Sequence, residues 1–345
     1  FFFTAMGARH HRFSSILSVL CEFSFISNAI SYPLTNITYE RQTLIQMPNV
    51  RVEQDDSYIC MTTSLQHLAD TWLVGFKVDV FPNVAHHISF AACEGEAPLQ
   101  RIWNCKKNHG NLCNGRNILL GGFDRWSRYH DLIMYPKDIG IPIGKASKLN
   151  SLIMQIHYNH AILDPSASRS NPANLTLYAT TERREYSFQY LLMISFGSIS
   201  PQTKGFKAEI ACVWSYPPVY LYQYSIHTHN RGTWVEGYVV RNNSVTLIGN
   251  GDPQKKNHDV STISDGPLML MPGDVVAARC TFDNIHSSEI KFGTAATEEM
   301  CNLDINFKFR REDISNFQHS VKCAGNAQTR NWCPQNNPSF ALCNM

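Results

Sequence analysis

Two histidines one residue apart, His227 and His229, lie in the β-rich run Tyr224-Ser225-Ile226-His227-Thr228-His229. Side chains of a strand alternate faces, so positions i and i+2 project together and two imidazoles can share one metal ion. Other nitrogen donors are His86 and His87, which follow Phe81-Pro82-Asn83-Val84-Ala85, and His157 in Gln155-Ile156-His157-Tyr158. Adjacent strand residues face opposite ways. His86 and His87 therefore meet one ion only where the backbone bends, or where one ring uses its near nitrogen and the other its far one. A third donor for the first pair is Met300, in Glu298-Glu299-Met300-Cys301-Asn302. A thioether is a poor zinc ligand but a good one for Cu(I), so sulfur beside two imidazoles points to copper that changes oxidation state. The all-imidazole set suits copper or zinc. Singly these motifs are weak: an isolated HxH is more often ordinary than metallic, and a lone Met is most often a core residue.

The chain that must position these donors has 345 residues, enough for two domains with real cores. Its formal charge is +2 with scattered basic residues, which argues against nucleic acid as a partner. Met6 reads as a start, followed by Arg9, Arg12 and an apolar run from Phe13 to Ile30 that ends in small residues. Residues 1–31 thus read as a secretory signal peptide with upstream residues. No other run is long enough to span a bilayer, so no membrane anchor is expected. Of eleven cysteines, Cys21 leaves with the signal and ten remain. An even number without CxxC pairs reads as disulfides in an oxidising compartment, the secretory granule lumen or the exterior. Sequons at Asn36, Asn174 and Asn242 agree with that route.

Strand-like runs begin near Asn36. They include Trp72 to Val80, Leu152 to Tyr158, Leu175 to Thr180, Lys207 to Trp214, Val219 to Thr228, Val275 to Phe282 and Leu303 to Phe309. Asn114 to Trp126, rich in Gly and Asn, reads as a loop, and the charged Thr181 to Glu185 as a linker. The segment after Cys323, rich in Asn, Gln and Pro, reads as lacking regular structure. Many short strands and no helix of note predict an all-β chain of two β-sandwich domains, 36–182 and 186–323, with a tail at 324–345.

Taken together, Ala85-His86-His87, Gln155-Ile156-His157-Tyr158, His227-Thr228-His229 and Glu299-Met300-Cys301-Asn302 resemble, in order and spacing, the copper type II ascorbate-dependent monooxygenases. Thr246-Leu247-Ile248-Gly249, Asp252-Pro253-Gln254, Gly273-Asp274 and Ala277-Ala278-Arg279-Cys280 are similar to the peptidylglycine α-hydroxylating branch. The resemblance runs from about Gln46 to Cys323.

It implies two jelly-roll-like sandwiches facing across a cleft, each with one copper. His86, His87 and His157 would hold the electron-transfer copper; His227, His229 and Met300 would hold the one where O2 reacts. Implied disulfides are Cys60–Cys105, Cys93–Cys113, Cys280–Cys301 and Cys212–Cys323, leaving Cys333 and Cys343. The implied activity hydroxylates the α-carbon of the C-terminal glycine of glycine-extended peptides, with ascorbate as reductant and a separate lyase for the second step of amidation. Gln155 and Asn302 match the branch's substrate contacts. Two positions depart from it. Ser225 stands where the branch has an arginine for the peptide carboxylate, and Asp304 where it has a tyrosine. Arg231 or Arg241 could restore the charge. Otherwise the substrate could carry an amine, as in the tyramine and dopamine β-hydroxylases, or the chain could bind copper without catalysis. Zinc hydrolysis would leave Met300 without a role.

Overall fold

The computed structural model describes residues 39–326, apart from 69–70, 80–84, 96–101, 106–112, 114, 125–131, 145–146, 165–172, 243, 256–259, 265, 294–296 and 318. For His86, Phe123 and Asp124 the strand backbone alone is described. The signal-like segment, the Asn36 sequon, Cys333 and Cys343 lie outside the described residues.

The described chain is built almost wholly of strands. The first half holds β1 (Arg41–Met47), β2 (Ser57–Ser64), β3 (Thr71–Asp79), β4 (Ala85–Glu94), β5 (Ile102–Asn104), β6 (Asn117–Asp124), β7 (Ile133–Met134), β8 (Ile141–Ile143), β9 (Leu149–Tyr158) and β10 (Ala173–Thr180). The second holds β11 (Tyr186–Phe196), β12 (Ser198–Ile199), β13 (Thr203–Val213), β14 (Val219–His227), β15 (Gly232–Arg241), β16 (Ser244–Gly251), β17 (Ser261–Thr262), β18 (Leu268–Leu270), β19 (Val275–Asn284), β20 (Ile290–Lys291), β21 (Asn302–Arg310) and β22 (Val321–Asn326). Two short 3-10 turns, Gln66–Leu68 and Arg311–Asn316, complete the regular structure. Among the described residues no helix is long and apolar enough to cross a membrane.

Each half is a sandwich of two sheets. In the first, β1-β10-β3-β7, with β8 also on β3, packs against β5-β2-β9-β4-β6. In the second, β17-β14-β21-β11-β22, with β18 also on β14, packs against β13-β19-β15-β16. β21 shows why the sequence folds this way. Leu303, Ile305, Phe307 and Phe309 are buried and alternate with half-buried Asn302, Asp304, Asn306 and Lys308. Burying four such side chains contributes roughly 6–12 kcal/mol before entropy is counted, and the pleat turns the polar set to the opposite face. The first core also takes in Phe188 and Tyr222 from the second half, and Lys308 pairs with Asp138 across the halves.

Two sequence expectations change. The stretch read as a loop at 114–126 contains β6, paired with β4 from His87↔Asp124 to Cys93↔Asn117. Its glycines are there for close approach. A Cβ on Gly121 would lie 2.4 Å from the Phe76 ring, which Phe90 meets edge-on at 4.8 Å. The tail expected to be irregular after Cys323 instead continues β22 to Asn326, parallel to β11. Of the sequons, Asn242 is exposed at a turn, whereas the Asn174 side-chain oxygen is buried in β10. The four disulfides are Cys60–Cys105, Cys93–Cys113, Cys212–Cys323 and Cys280–Cys301, the pairs the resemblance implies.

Gly121→Ala is expected to lower stability by about 1–3 kcal/mol through overpacking. Urea unfolding measures it, and a loss below about 0.5 kcal/mol would contradict the close approach.

Candidate metal centre

In the first half, three adjacent strands set Tyr58, His157 and His87 in one row: β2 pairs Tyr58↔His157, and β4 pairs His87↔His157. The Tyr58 ring stacks on His157 at 4.1 Å and 7°. The β4–β9 register shifts between Ala85 and His87, leaving His86 as the extra residue of a bulge. The bulge supplies the bend that two consecutive donors need, because it breaks the strict alternation of faces.

His157 is buried, and its Nε2 lies 2.6 Å from Asp56 Oδ1. A carboxylate accepts, so Nε2 carries the proton and Nδ1 keeps its lone pair. That Nδ1 lies 3.3 Å from Nδ1 of His87. Asp56 reaches His157 from a left-handed backbone position, φ 55°, which aspartate tolerates better than most residues. Gln155, one pleat repeat from His157, is also buried, and its amide points at the Cys60–Cys105 sulfurs, 3.8 and 3.5 Å away. It lies in the first half, not beside the second histidine pair.

In the second half, β14 ends at His227, whose cross-strand partner is Asn302. His229 is therefore outside the strand, and the expected strand pleat does not align the pair. A loop does so instead. The Glu299 carboxylate, with no solvent exposure, accepts the backbone N–H of His229 and of Arg231, both at 3.0 Å. The Arg231 guanidinium stands 3.5 Å from it. His229 Nδ1–H donates to the Glu298 carbonyl oxygen at 2.6 Å, which leaves the lone pair on Nε2. The Gln254 amide donates to the carbonyl oxygens of His229 (2.7 Å) and Gly232 (2.9 Å). The two rings lie 5.2 Å apart at 74°. Met300 follows Glu299 directly, and the Cys280–Cys301 disulfide ties down the next residue. Burial pushes the Glu299 carboxyl above its ordinary range, against the two N–H bonds and the charges of His229 and Arg231 that favour the ion.

The departures from the branch fall on the same sheet face. Directly paired residues share a face, so Ser225, His227, Asn302 and Asp304 all lie on it. Asp304 makes no hydrogen bond or ion pair among the described residues, and burial pushes its carboxyl up to about 7. Asn302 Oδ1 is buried without a hydrogen-bond partner. Both arginines considered as a replacement clamp already face a carboxylate. Arg241 is held by both oxygens of Asp274, at 2.7 and 2.6 Å, and Arg231 stands against Glu299.

Among the described residues, no three His, Cys, Asp or Glu side chains cluster tightly enough for a metal. The two centres each have a pair of imidazoles. The further donors the sequence offers are His86, whose side chain is not described, and the thioether of Met300. Asp56 and Tyr58 carry no signal in the sequence reading, and Glu299 and Gln254 enter it only as members of matched motifs, without a role. The acidic pair ahead of Met300 was the available signal for Glu299; Asp56 reads only as a turn residue.

Residues 43–164 match the family model described as the copper type II ascorbate-dependent monooxygenase N-terminal domain, and residues 188–327 match its C-terminal domain. The chain belongs to this family. Among curated relatives of this copper monooxygenase, peptidyl-glycine alpha-amidating monooxygenase of Mus musculus is 29% identical over 318 residues, covering 88% of this chain and 31% of that protein. The Rattus norvegicus enzyme is 28% identical, covering 81% and 28%. Dopamine beta-hydroxylase of Canis lupus familiaris is more distant, at 22% identity over 76% and 44%. The chain spans less than half the length of each of these relatives.

The donors fit the family's copper. Two imidazole nitrogens 3.3 Å apart have the spacing expected when both bind one first-row ion at about 2.0 Å. Without an ion, that contact needs a shared proton. In the other centre, imidazole nitrogen with thioether sulfur is a soft donor set suited to Cu(I).

Two outcomes follow. Glu299→Ala orphans two buried N–H groups, so unfolding experiments should show a loss of about 1–3 kcal/mol for each; an unchanged midpoint would mean Glu299 does not tie the loops. Asp304 binds its proton more tightly folded (about 7) than unfolded (3.8), so its contribution to stability declines as pH rises between these values. In metal-free protein, Asp304→Asn should therefore raise the melting temperature more at pH 8 than at pH 5. A pH-independent difference would contradict the burial of this carboxyl.

Proposed function

We propose that this monooxygenase hydroxylates the α-carbon of C-terminal glycine in glycine-extended peptides, the first step of C-terminal amidation. The supporting observation is the likeness over most of the chain to peptidyl-glycine alpha-amidating monooxygenases, at 29% identity to the mouse protein against 22% to dopamine beta-hydroxylase. The reaction breaks one glycine C–H bond and forms a C–O bond. One oxygen atom of O2 enters the product, the other leaves as water, and ascorbate provides the two electrons.

Copper, when bound, supplies the one-electron and oxygen chemistry. In this reading His86, His87 and His157 hold the electron-transfer copper of the domain at 36–182. His227, His229 and Met300 hold the second copper, in the domain at 186–323. Asp56 fixes the His157 tautomer so that Nδ1 faces His87. The Glu298 carbonyl does the converse for His229 and presents Nε2. Glu299 and Gln254 hold the loop that carries His229. Asn302, paired across the strands with His227, and Gln155 of the first domain contact the substrate. The four disulfides agree with a secretory location. A lyase acting on the product would complete amidation.

A second reading, hydroxylation of an arylalkylamine, is favoured by Ser225 and Asp304 on the face beside His227. The purified protein, loaded with copper and supplied with ascorbate and O2, should add one oxygen atom to a glycine-extended peptide, read by mass spectrometry. In competition with tyramine, turnover of tyramine alone would overturn the peptide reading. Met300→Ile should abolish hydroxylation and leave one copper bound per chain; retained activity would remove Met300 from the reacting centre.

A further inference from the structure

Asp304 is unlike most buried or half-buried acids of this protein. Glu209 pairs with Arg279, Asp274 with Arg241, Asp138 with Lys308, and Glu299 accepts two N–H groups beside Arg231. Asp304 makes no hydrogen bond or ion pair among the described residues, and its titratable neighbour is the buried Tyr190 phenol, which its charge disfavours ionising. It is also well placed. Across the sheet, one row runs Lys322, Leu192, Asp304, Ser225, and the next runs Ala324, Ile194, Asn302, His227. Asp304 therefore stands one pleat repeat, about 6.8 Å, along β21 from the rung that carries His227. The nearest cation in its row, Lys322, is exposed and separated from it by the β11 strand and Leu192. Lys308, farther along β21, is held by Asp138.

Asn302 adds an independent observation. Its Oδ1 is buried and unsatisfied on the same face. Two acceptor oxygens thus lie beside the second centre without a donor. An unsatisfied buried acceptor is costly, and an ionised carboxylate without a counter-charge more so. A ligand that supplies donors and positive charge relieves both. An ionised Asp304 would repel a carboxylate in the same place.

We propose that Asp304 is a specificity-determining residue that receives a cationic group, ammonium or guanidinium, of the molecule being hydroxylated, with Asn302 Oδ1 as a neighbouring acceptor. This rests on the reading of His227, His229 and Met300 as the reacting centre. The cation has two possible sources. One is a Lys or Arg side chain next to the glycine of a glycine-extended peptide, long enough to span one pleat repeat. The other is the amino group of a free arylalkylamine. A carboxyl held near 7 loses its proton readily once a cation arrives, which suits this role.

The test uses copper-loaded protein at pH 7.5 without ascorbate, so that binding is read by calorimetry apart from turnover. The probes are N-acetylated tripeptides ending in Lys-Gly, norleucine-Gly and Glu-Gly, together with tyramine and its uncharged counterpart 4-ethylphenol. The cationic probe of at least one pair should bind roughly ten- to a hundredfold more tightly than its neutral counterpart, as a charge-assisted bond implies. In Asp304→Asn and Asp304→Ser, both checked for native circular dichroism, that ratio should fall to near one. The pair that shows it identifies the source of the cation. Ratios within twofold for both pairs, or a preference that survives both substitutions, overturn the proposal. Hydroxylation of all three peptides at equal efficiency would defeat the role of Asp304 while leaving peptide hydroxylation intact. Asp304-dependent binding of tyramine without turnover of any peptide would do the reverse.

Discussion

Glu299 places a carboxylate with no solvent exposure between the two segments that build the second centre. One segment is the loop that leaves β14 after His227; the other leads through Met300 and Cys301 into β21. The carboxylate accepts N–H groups at both ends of the first segment, His229 and Arg231, while its own backbone continues into the second. A buried carboxylate is stable only when its lone pairs are filled. The requirement therefore works as a constraint: in the arrangement that fills the Glu299 lone pairs, Met300 stands next in the chain to the group that anchors His229. The Glu298 carbonyl adds the orientation of the His229 ring, and the Cys280–Cys301 disulfide fixes the next residue. His229 and the segment of Met300 are thus positioned by polar contacts that themselves need no metal.

The first centre solves a related problem with a strand. Two consecutive histidines on a regular pleat would diverge, and the bulge at His86 removes that alternation. Asp56 then selects the tautomer of His157 from outside the sheet. Each candidate centre has a backbone irregularity beside its imidazoles, and an oxygen acceptor on one imidazole nitrogen determines which nitrogen keeps its lone pair. The acceptor differs, a carboxylate for His157 and a backbone carbonyl for His229, and so does the nitrogen left over, Nδ1 in one and Nε2 in the other.

The histidine and methionine motifs keep the order of the family, whereas the face beside His227 carries Ser225 and Asp304, a carboxyl without a hydrogen bond or ion pair among the described residues. Sheet geometry allows this separation. His227 and Asn302 share one rung and Ser225 and Asp304 the rung two residues along, so Ser225 and Asp304 can change without moving His227 or Asn302, whose backbone ladder is held by the buried Ile226, Leu303 and Ile305.

Legible along the chain were the family, through the order of its histidine and methionine motifs, the all-β class, and most strand positions. These depend on residue type and on the two-residue period of a half-buried strand, as in the alternation of Leu303, Ile305, Phe307 and Phe309 with polar neighbours. That Ser225 shares a face with His227, and Asn302 with Asp304, follows from local pleating once the strands are known. Tertiary structure decided the rest. β6 was hidden because its glycines read as loop, and their use depends on the Phe76 ring from the facing sheet. His229 was assigned to the strand because the end of β14 is set by where β21 begins, not by the local run. Asp56 is 101 residues from His157, and Glu299 is 70 from His229. No local pattern links such pairs, because the cost of leaving a buried polar group unpaired is settled only when distant segments meet.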